Sequence, residues 1–178
     1  MDEARTELAN MALAALSHNQ ILTSLDDDNS MLGKMCRRFI DIARLEALSE
    51  HNWLFATKLS TSGGLPTPGM GGGYMHYRTH DMLRIVSMHD AIAGIDSTTG
   101  LQWLAGTDGA MFTSSQSVIV RHIYPHNTPG AWPPLFKSAV SYRLAFHLAL
   151  PVTKSVKAKS SMLEAFGDAI MRARSHDL

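Results

Sequence analysis

"HNWLFATK", residues 51–58, is where the chain changes character. A helical period runs into it from the left. From Trp53 onward, large and small side chains alternate: Trp53, Phe55 and Thr57 fall on one side of a strand, Leu54 and Ala56 on the other. The fold is decided by what happens on either side of this junction.

To the left, residues 31–50 carry Leu32, Met35, Cys36, Phe39, Ile40, Ala43 and Ala47 as one apolar stripe, with Arg37, Asp41 and Arg44 away from it. Ser30 or Asn29 is the expected N-cap. Asp26, Asp27 and Asp28 stand just ahead, where the positive end of a helix dipole favours acids. An earlier helix over 3–17 uses Ala4, Leu8, Met11, Ala12 and Ala15.

To the right, SGGLPTPGMGGGY (62–74) has too much Gly and Pro for a regular element and reads as a flexible loop. Residues 83–88 form a short apolar strand. Thr99-Gly100 and Asp108-Gly109 are turn signals around LQWLAG (101–106), so a meander of short antiparallel strands is expected. Residues 117–124 close it, with Val118, Val120 and Tyr124 on one face and Ile119 and Ile123 on the other.

After PHNTPGAWPP (125–134) the helical period returns. Leu135, Ala139, Tyr142, Phe146 and Ala149 share a face; Phe136, Val140, Leu144 and Leu148 cover its neighbour. A helix apolar over so much of its circumference is buried on more than one side. Pro151 is expected to end it, and a last helix spans about 155–174. The fold class is therefore α+β: a four-helix bundle, two helices from each end of the chain, with an antiparallel β insertion between the second and third. Helical parts are 1–52 and 134–178 and the insertion is 53–133, all one domain with two poles able to dock different things.

The 178 residues are 45% hydrophobic and 18% charged, with 16 basic and 16 acidic side chains. A net charge near zero argues against a dedicated duplex-DNA binder. The one cysteine, Cys36, cannot form an intrachain disulfide and falls in a helical stripe. The acidic start lacks a secretory pattern and no stretch reaches the length of a membrane span, so a chain made in a cytoplasm is expected.

Chemistry is hard to find. The Gly-rich stretch fails as a P-loop because Tyr74, not Lys, follows Gly73. Gly69 and Gly71 lack the third glycine of a dinucleotide fingerprint. His76/His80 and His122/His126 are each four apart, but lie in strand or loop sequence without completing ligands, so surface or partly buried histidines and no metal are expected. Ser87, His89 and Asp90 are neighbours without a motif around them. No catalytic residue and no cofactor are expected. TKSVKAKSS (153–161) carries Lys154, Lys157 and Lys159, either a solvated helix start or a cationic strip toward a polyanion.

The order of motifs is informative: HNWLFATK, then YRTHDMLRIVSM (77–88), GTDGAMF (106–112), VIVRHIY (118–124) and PPLFKSAVSYRLAFHLALPVTKS (133–155). Over about residues 8–170 it resembles the head-to-tail adaptor proteins of short-tailed bacteriophages, the tail tubular protein A family. His80 stands where that family commonly has a proline. The resemblance implies a structural virion protein, without catalysis, that forms a ring, typically of twelve copies, between the portal protein and the tail nozzle. DNA passes through its centre without sequence-specific binding. It implies portal docking by Arg172, Arg174, His176 and Leu178 in the polar chain end. The apolar side chains Trp103, Met111 and Phe112, beside the turn at Asp108, then face the tail, unless they pack inside the insertion. The three lysines either line the channel or flank the last helix. An adaptor of a long-tailed or contractile phage is the alternative within this class; a small hydrolase using Ser87 or His122 is the alternative outside it.

Overall fold

A computed structural model describes residues 2–67, 73–95 and 100–177. Among them are four α-helices, α1 (Asp2–Ala15), α2 (Met31–Ser49), α3 (Pro134–Thr153) and α4 (Val156–Ser175). Seven strands lie between α2 and α3: β1 (Thr57–Gly63), β2 (Leu65–Thr67), β3 (Gly73–Tyr77), β4 (Arg84–Asp90), β5 (Trp103–Ala105), β6 (Ala110–Thr113) and β7 (Ser117–Ile123). The α+β expectation holds, with two antiparallel sheets. The chain divides into a helical unit, up to Phe55 and from His126 onward, and a β unit, Ala56–Pro125.

Helix α3 is the axis of the helical unit: α1, α2 and α4 all pack on it. Phe136, Ala139, Val140, Leu144, Ala145, Leu148 and Ala149 are fully buried, as its all-round apolar pattern requires. It does not stop at Pro151. A helical proline forfeits its own N–H bond and crowds the carbonyl four residues back, yet the helix continues to Thr153, whose hydroxyl donates to the Ala149 carbonyl at 2.7 Å. Lys154, left-handed at φ 54°, ends it.

Ser30 is the N-cap of α2, accepting from Gly33 N at 3.0 Å. A side chain at Gly33 would collide with the Asp28 carbonyl, 2.7 Å from where its Cβ would lie. Of the three aspartates only Asp28 serves this helix start, accepting from Ser30 N at 2.7 Å; Asp27 binds Ser24 and Asp26 binds Arg5. Arg37 turns back to gather the carbonyls of Leu25, Asp26 and Asp28. On α1 the buried face is Leu8, Ala9, Ala12 and Leu13, rotated from the expected stripe so that Met11 is exposed. The shift lets Asn10 clasp both backbone groups of Leu22, at 2.8 and 2.9 Å, while the Thr6 hydroxyl accepts from Leu25 N.

At the opening stretch the strand begins later than the alternation implies. Leu54–Ala56 is a 3-10 turn and β1 starts at Thr57. Trp53 belongs to the helical unit: its indole N–H donates to the Ala47 carbonyl at 3.0 Å, satisfying a group at the end of α2. Phe136 sits at the centre of an aromatic cluster, with ring centroids 5.0 Å from Trp53, 4.9 Å from Phe55 and 5.3 Å from Trp132, all edge to face. These contacts put 53–55 and 126–133 with the helices, so the insertion is shorter than expected.

The β unit is two sheets, ordered β1-β7-β4 and β2-β3-β6-β5, not one meander. Most of the supposed Gly-rich loop is strand: β1 reaches Gly63, and Pro66 sits in β2, an edge strand where a missing N–H costs no ladder bond. Residues 68–72, with Gly69 and Gly71, and Thr99 lie outside the described residues. Met82, Met88, Met111, Val118 and Val120 form the core, with Ile85, Leu101 and Trp103 against it. Val118 and Val120, expected on one face, are both fully buried, and Ile123, assigned to the other face, is fully buried too. Arg78 explains part of YRTHDMLR: it donates to the carbonyls of Met82 and Leu83 and so holds the turn that inserts Met82.

Phe136→Ala should lower the stability of the helical unit by about 3–5 kcal/mol in chemical denaturation, because three aromatic partners lose their centre. Leu59→Ala, on a half-exposed edge strand, should change stability by less than about 0.5 kcal/mol.

Candidate docking surfaces

The polar chain end is tied down by the chain itself. The Asp177 carboxylate, almost buried, accepts from Leu54 N at 2.9 Å and lies 3.5 Å from His51 Nε2. Arg174 binds the backbone carbonyl and, at 2.8 Å, the carboxylate of Glu50. Ala173 is buried. The end of α4 thus caps the exit from α2, and residues 172–177 are part of the fold instead of a loose tail. Of the expected portal-docking residues, Arg172 and His176 are exposed, Arg174 is half-buried and engaged, and Leu178 lies outside the described residues.

At the other expected surface the residues separate. Asp108 is exposed, in a left-handed conformation (φ 57°) within the 3-10 turn Thr107–Gly109. Met111 is only 2% exposed, at the heart of the β-unit core, which corrects its assignment to an exterior face. Strand alternation is the reason: Met111 faces inward on β6, and the neighbouring Phe112 is half-buried. Trp103 packs against that core from its edge. Leu104, beside Trp103 on β5, is a large apolar side chain that does point outward, 74% exposed.

The lysines flank the α3–α4 joint. Lys154 is the C-cap of α3, and Ser155 is the N-cap of α4, accepting from Ala158 N at 3.1 Å. Lys154 and Lys157 are exposed; Lys159 lies over the Phe146 ring at 4.7 Å.

The groups with chemical potential are engaged in structure. Ser87 Oγ is 3.0 Å from His89 Nε2, but Asp90 turns away to Ser115 and to the backbone N–H groups of Ile92 and Ala93. No serine–histidine–aspartate relay is assembled there. His76 and His122 are fully buried, correcting the expectation of surface or partly buried rings. His76 Nε2 donates to the Ser115 carbonyl at 3.0 Å, which leaves Nδ1 to accept from Ser62 Oγ at 3.2 Å. His122 Nε2 is 2.9 Å from Ser60 Oγ. Among the described residues no group of His, Cys, Asp or Glu could hold a metal. Burial and the Asp28 charge push the Cys36 thiol up to about 11, so it stays protonated at neutral pH.

One charged cluster escaped sequence reasoning. Glu46 on α2 accepts from Arg143 Nε at 2.6 Å and His147 Nε2 at 2.7 Å, both on α3. His147 also stacks on Phe39 with centroids 5.5 Å apart. Only the i, i+4 spacing of Arg143 and His147 was visible in the sequence; their partner is far away along the chain. Burial raises the Glu46 pKa, but the two hydrogen bonds outweigh it and hold the carboxyl below its ordinary value. A depressed carboxyl pKa contributes stability above the ordinary value of 4.5 that is lost as pH falls through the folded-state value. Thermal unfolding followed from pH 7 downward should therefore show a steeper acid loss in the native chain than in Glu46→Gln. Parallel curves would contradict this role.

Among the described residues no helix is long and apolar enough to cross a membrane. Comparison of the sequence with protein-family models and with curated proteins finds no match.

Proposed function

We propose that this chain is a ring-forming head-to-tail adaptor of a bacteriophage virion, without catalysis, joining the portal protein to the tail nozzle. In this reading the four helices act as one bundle and the β unit is its insertion. Copies of the chain surround a channel through which DNA passes without base-specific contact.

The observation that carries the reading is the division of labour within one short chain. Both ends of the sequence build a helical unit around α3, and the segment between α2 and α3 builds a second unit with its own core. Two separately cored units give two surfaces, one for each neighbour. The motif order that resembles the adaptor family maps onto this plan. HNWLFATK is the junction, YRTHDMLRIVSM and VIVRHIY supply β4 and β7, and the long PPLFKSAV segment is α3. The commitment of Asp90 to Ser115 instead of the Ser87–His89 pair, and the buried, protonated Cys36 thiol, support an interaction protein over a hydrolase.

Arg172 and His176 at the exposed end of α4 are the residues assigned to portal contact, with Arg174 holding that end in place. Trp103, Asp108 and Phe112, joined by Leu104, are assigned to the tail side. Lys154, Lys157 and Lys159 are assigned to the flank of α4. With equal numbers of basic and acidic groups, the chain suits a passage that does not grip phosphate.

In particles of the phage that encodes it, the 19.5 kDa polypeptide should be present and labelled at the neck by electron microscopy. Loss of the gene should leave DNA-filled heads without tails. Tailed, infectious particles assembled without it would overturn the proposal.

A further inference from the structure

We infer that the outer face of α2 on one copy packs against the outer flank of α4 on the next, a head-to-tail contact between copies of this chain. The inference deepens the ring reading and rests on it only for the closure of successive copies into a ring.

Helix α2 buries Leu32, Cys36, Ile40, Ala43 and Ala47 and leaves an opposite stripe with Met31, Lys34, Arg38 and Ile42. Met31 is 74% exposed and Ile42 41%. Helix α4 buries Phe166, Ala169, Ile170 and Ala173 and leaves Val156, Leu163 and Met171 outward, at 71%, 46% and 61% exposure. Their spacing of seven and eight residues aligns them along one flank. Each flank thus carries large apolar side chains at intervals along its outward side.

Charge decides which partner. Lys34 and Arg38, one turn apart, lie between Met31 and Ile42; Glu164 and Asp168, also one turn apart, fall between Leu163 and Met171 along α4, roughly a quarter-turn to the side of their stripe. Along each helix the order is thus apolar, two charges, apolar, with charges of opposite sign. Among the described residues none of these four charges has an intrachain ion pair, whereas nearby Asp41 is neutralised by Arg5 and Arg44. Lys157 and Arg172 lie toward the two ends of the α4 flank, beyond the acidic pair. An α2–α2 or α4–α4 contact would oppose like charges; α2 against α4 matches both pairs. Because the two patches differ, the contact is heterologous and propagates head to tail.

Gly167 is an independent sign. It sits in mid-helix on the same flank, between Leu163 and Met171, where a Cβ would meet nothing within 4 Å. Glycine weakens a helix interior relative to alanine, and no intrachain neighbour here requires it. Close approach of another helix would.

Sedimentation of the purified chain should show self-association at about 1 mM in low salt. Association should weaken in roughly 1 M salt, where the screening length falls to about 3 Å. The double variant Lys34→Glu/Arg38→Glu and the double variant Glu164→Lys/Asp168→Lys should each associate about tenfold or more weakly. An equimolar mixture of the two should recover association, because every contact between unlike variants again joins opposite charges. A folding defect could not produce that recovery. Gly167→Gln should keep or raise the melting temperature while weakening association. A wild-type chain still monomeric at about 1 mM, reversed variants that associate like wild type, or a mixture without recovery would each overturn the contact. None of these results bears on the presence of the chain in particles, so the adaptor reading fails or stands on its own test.

Discussion

Everything in the helical unit depends on hiding α3. A helix with Phe136, Val140, Leu144 and Leu148 fully buried, and Ala139, Ala145 and Ala149 filling the gaps between them, is not stable alone in water. Each such large side chain contributes about 1.5–3 kcal/mol only when other elements cover it. The cover comes from both ends of the chain, α1 and α2 from before the β unit and α4 from after it. The β unit is therefore necessarily an excursion that leaves and returns. Its entry and exit are pinned to each other, with Tyr124 N donating to the Ala56 carbonyl at 3.0 Å.

The same requirement accounts for the junction. Trp53, Phe55 and Trp132 lie just before and after the excursion, and all three close on Phe136 near the start of α3. Asp177 and Arg174 then bind the segment between α2 and the 3-10 turn from the other end of the chain. Glu46 with Arg143 and His147 joins α2 to α3 further along. With its inner faces committed in this way, the helical unit leaves outer stripes of α2 and α4 exposed.

What was legible in the sequence follows from the range of the forces involved. Helix α2 with a cap at Asn29 or Ser30, the all-round burial of α3 and the start of α4 near Ser155 depend on neighbours a few residues away, and the local pattern shows them. In 62–74 the Gly and Pro content conceals strand pairing: β2 and β3 form through Leu65 facing Met75 and Pro66 facing Tyr74. Strand character at Trp53 misled because alternation cannot tell a strand from a short extended link held by aromatic contacts. Burial of Met111, His76 and His122, and the capture of Asp177 by Leu54 N, depend on partners far along the chain. No local pattern encodes them. The outward residues of α2 and α4 were present in the sequence too, but only the observed burial on the opposite faces marks them as unpartnered.

In the proposed reading this chain works as a closed ring built from one repeated heterologous contact. The most direct measurement is native mass spectrometry of necks released from purified particles, combined with rotational-symmetry analysis of their images. A closed ring gives a mass contribution from the chain equal to an integral multiple, greater than two, of 19.5 kDa, with every copy in the same environment around one axis. A dimer of twofold symmetry, in which like faces meet, would contradict it.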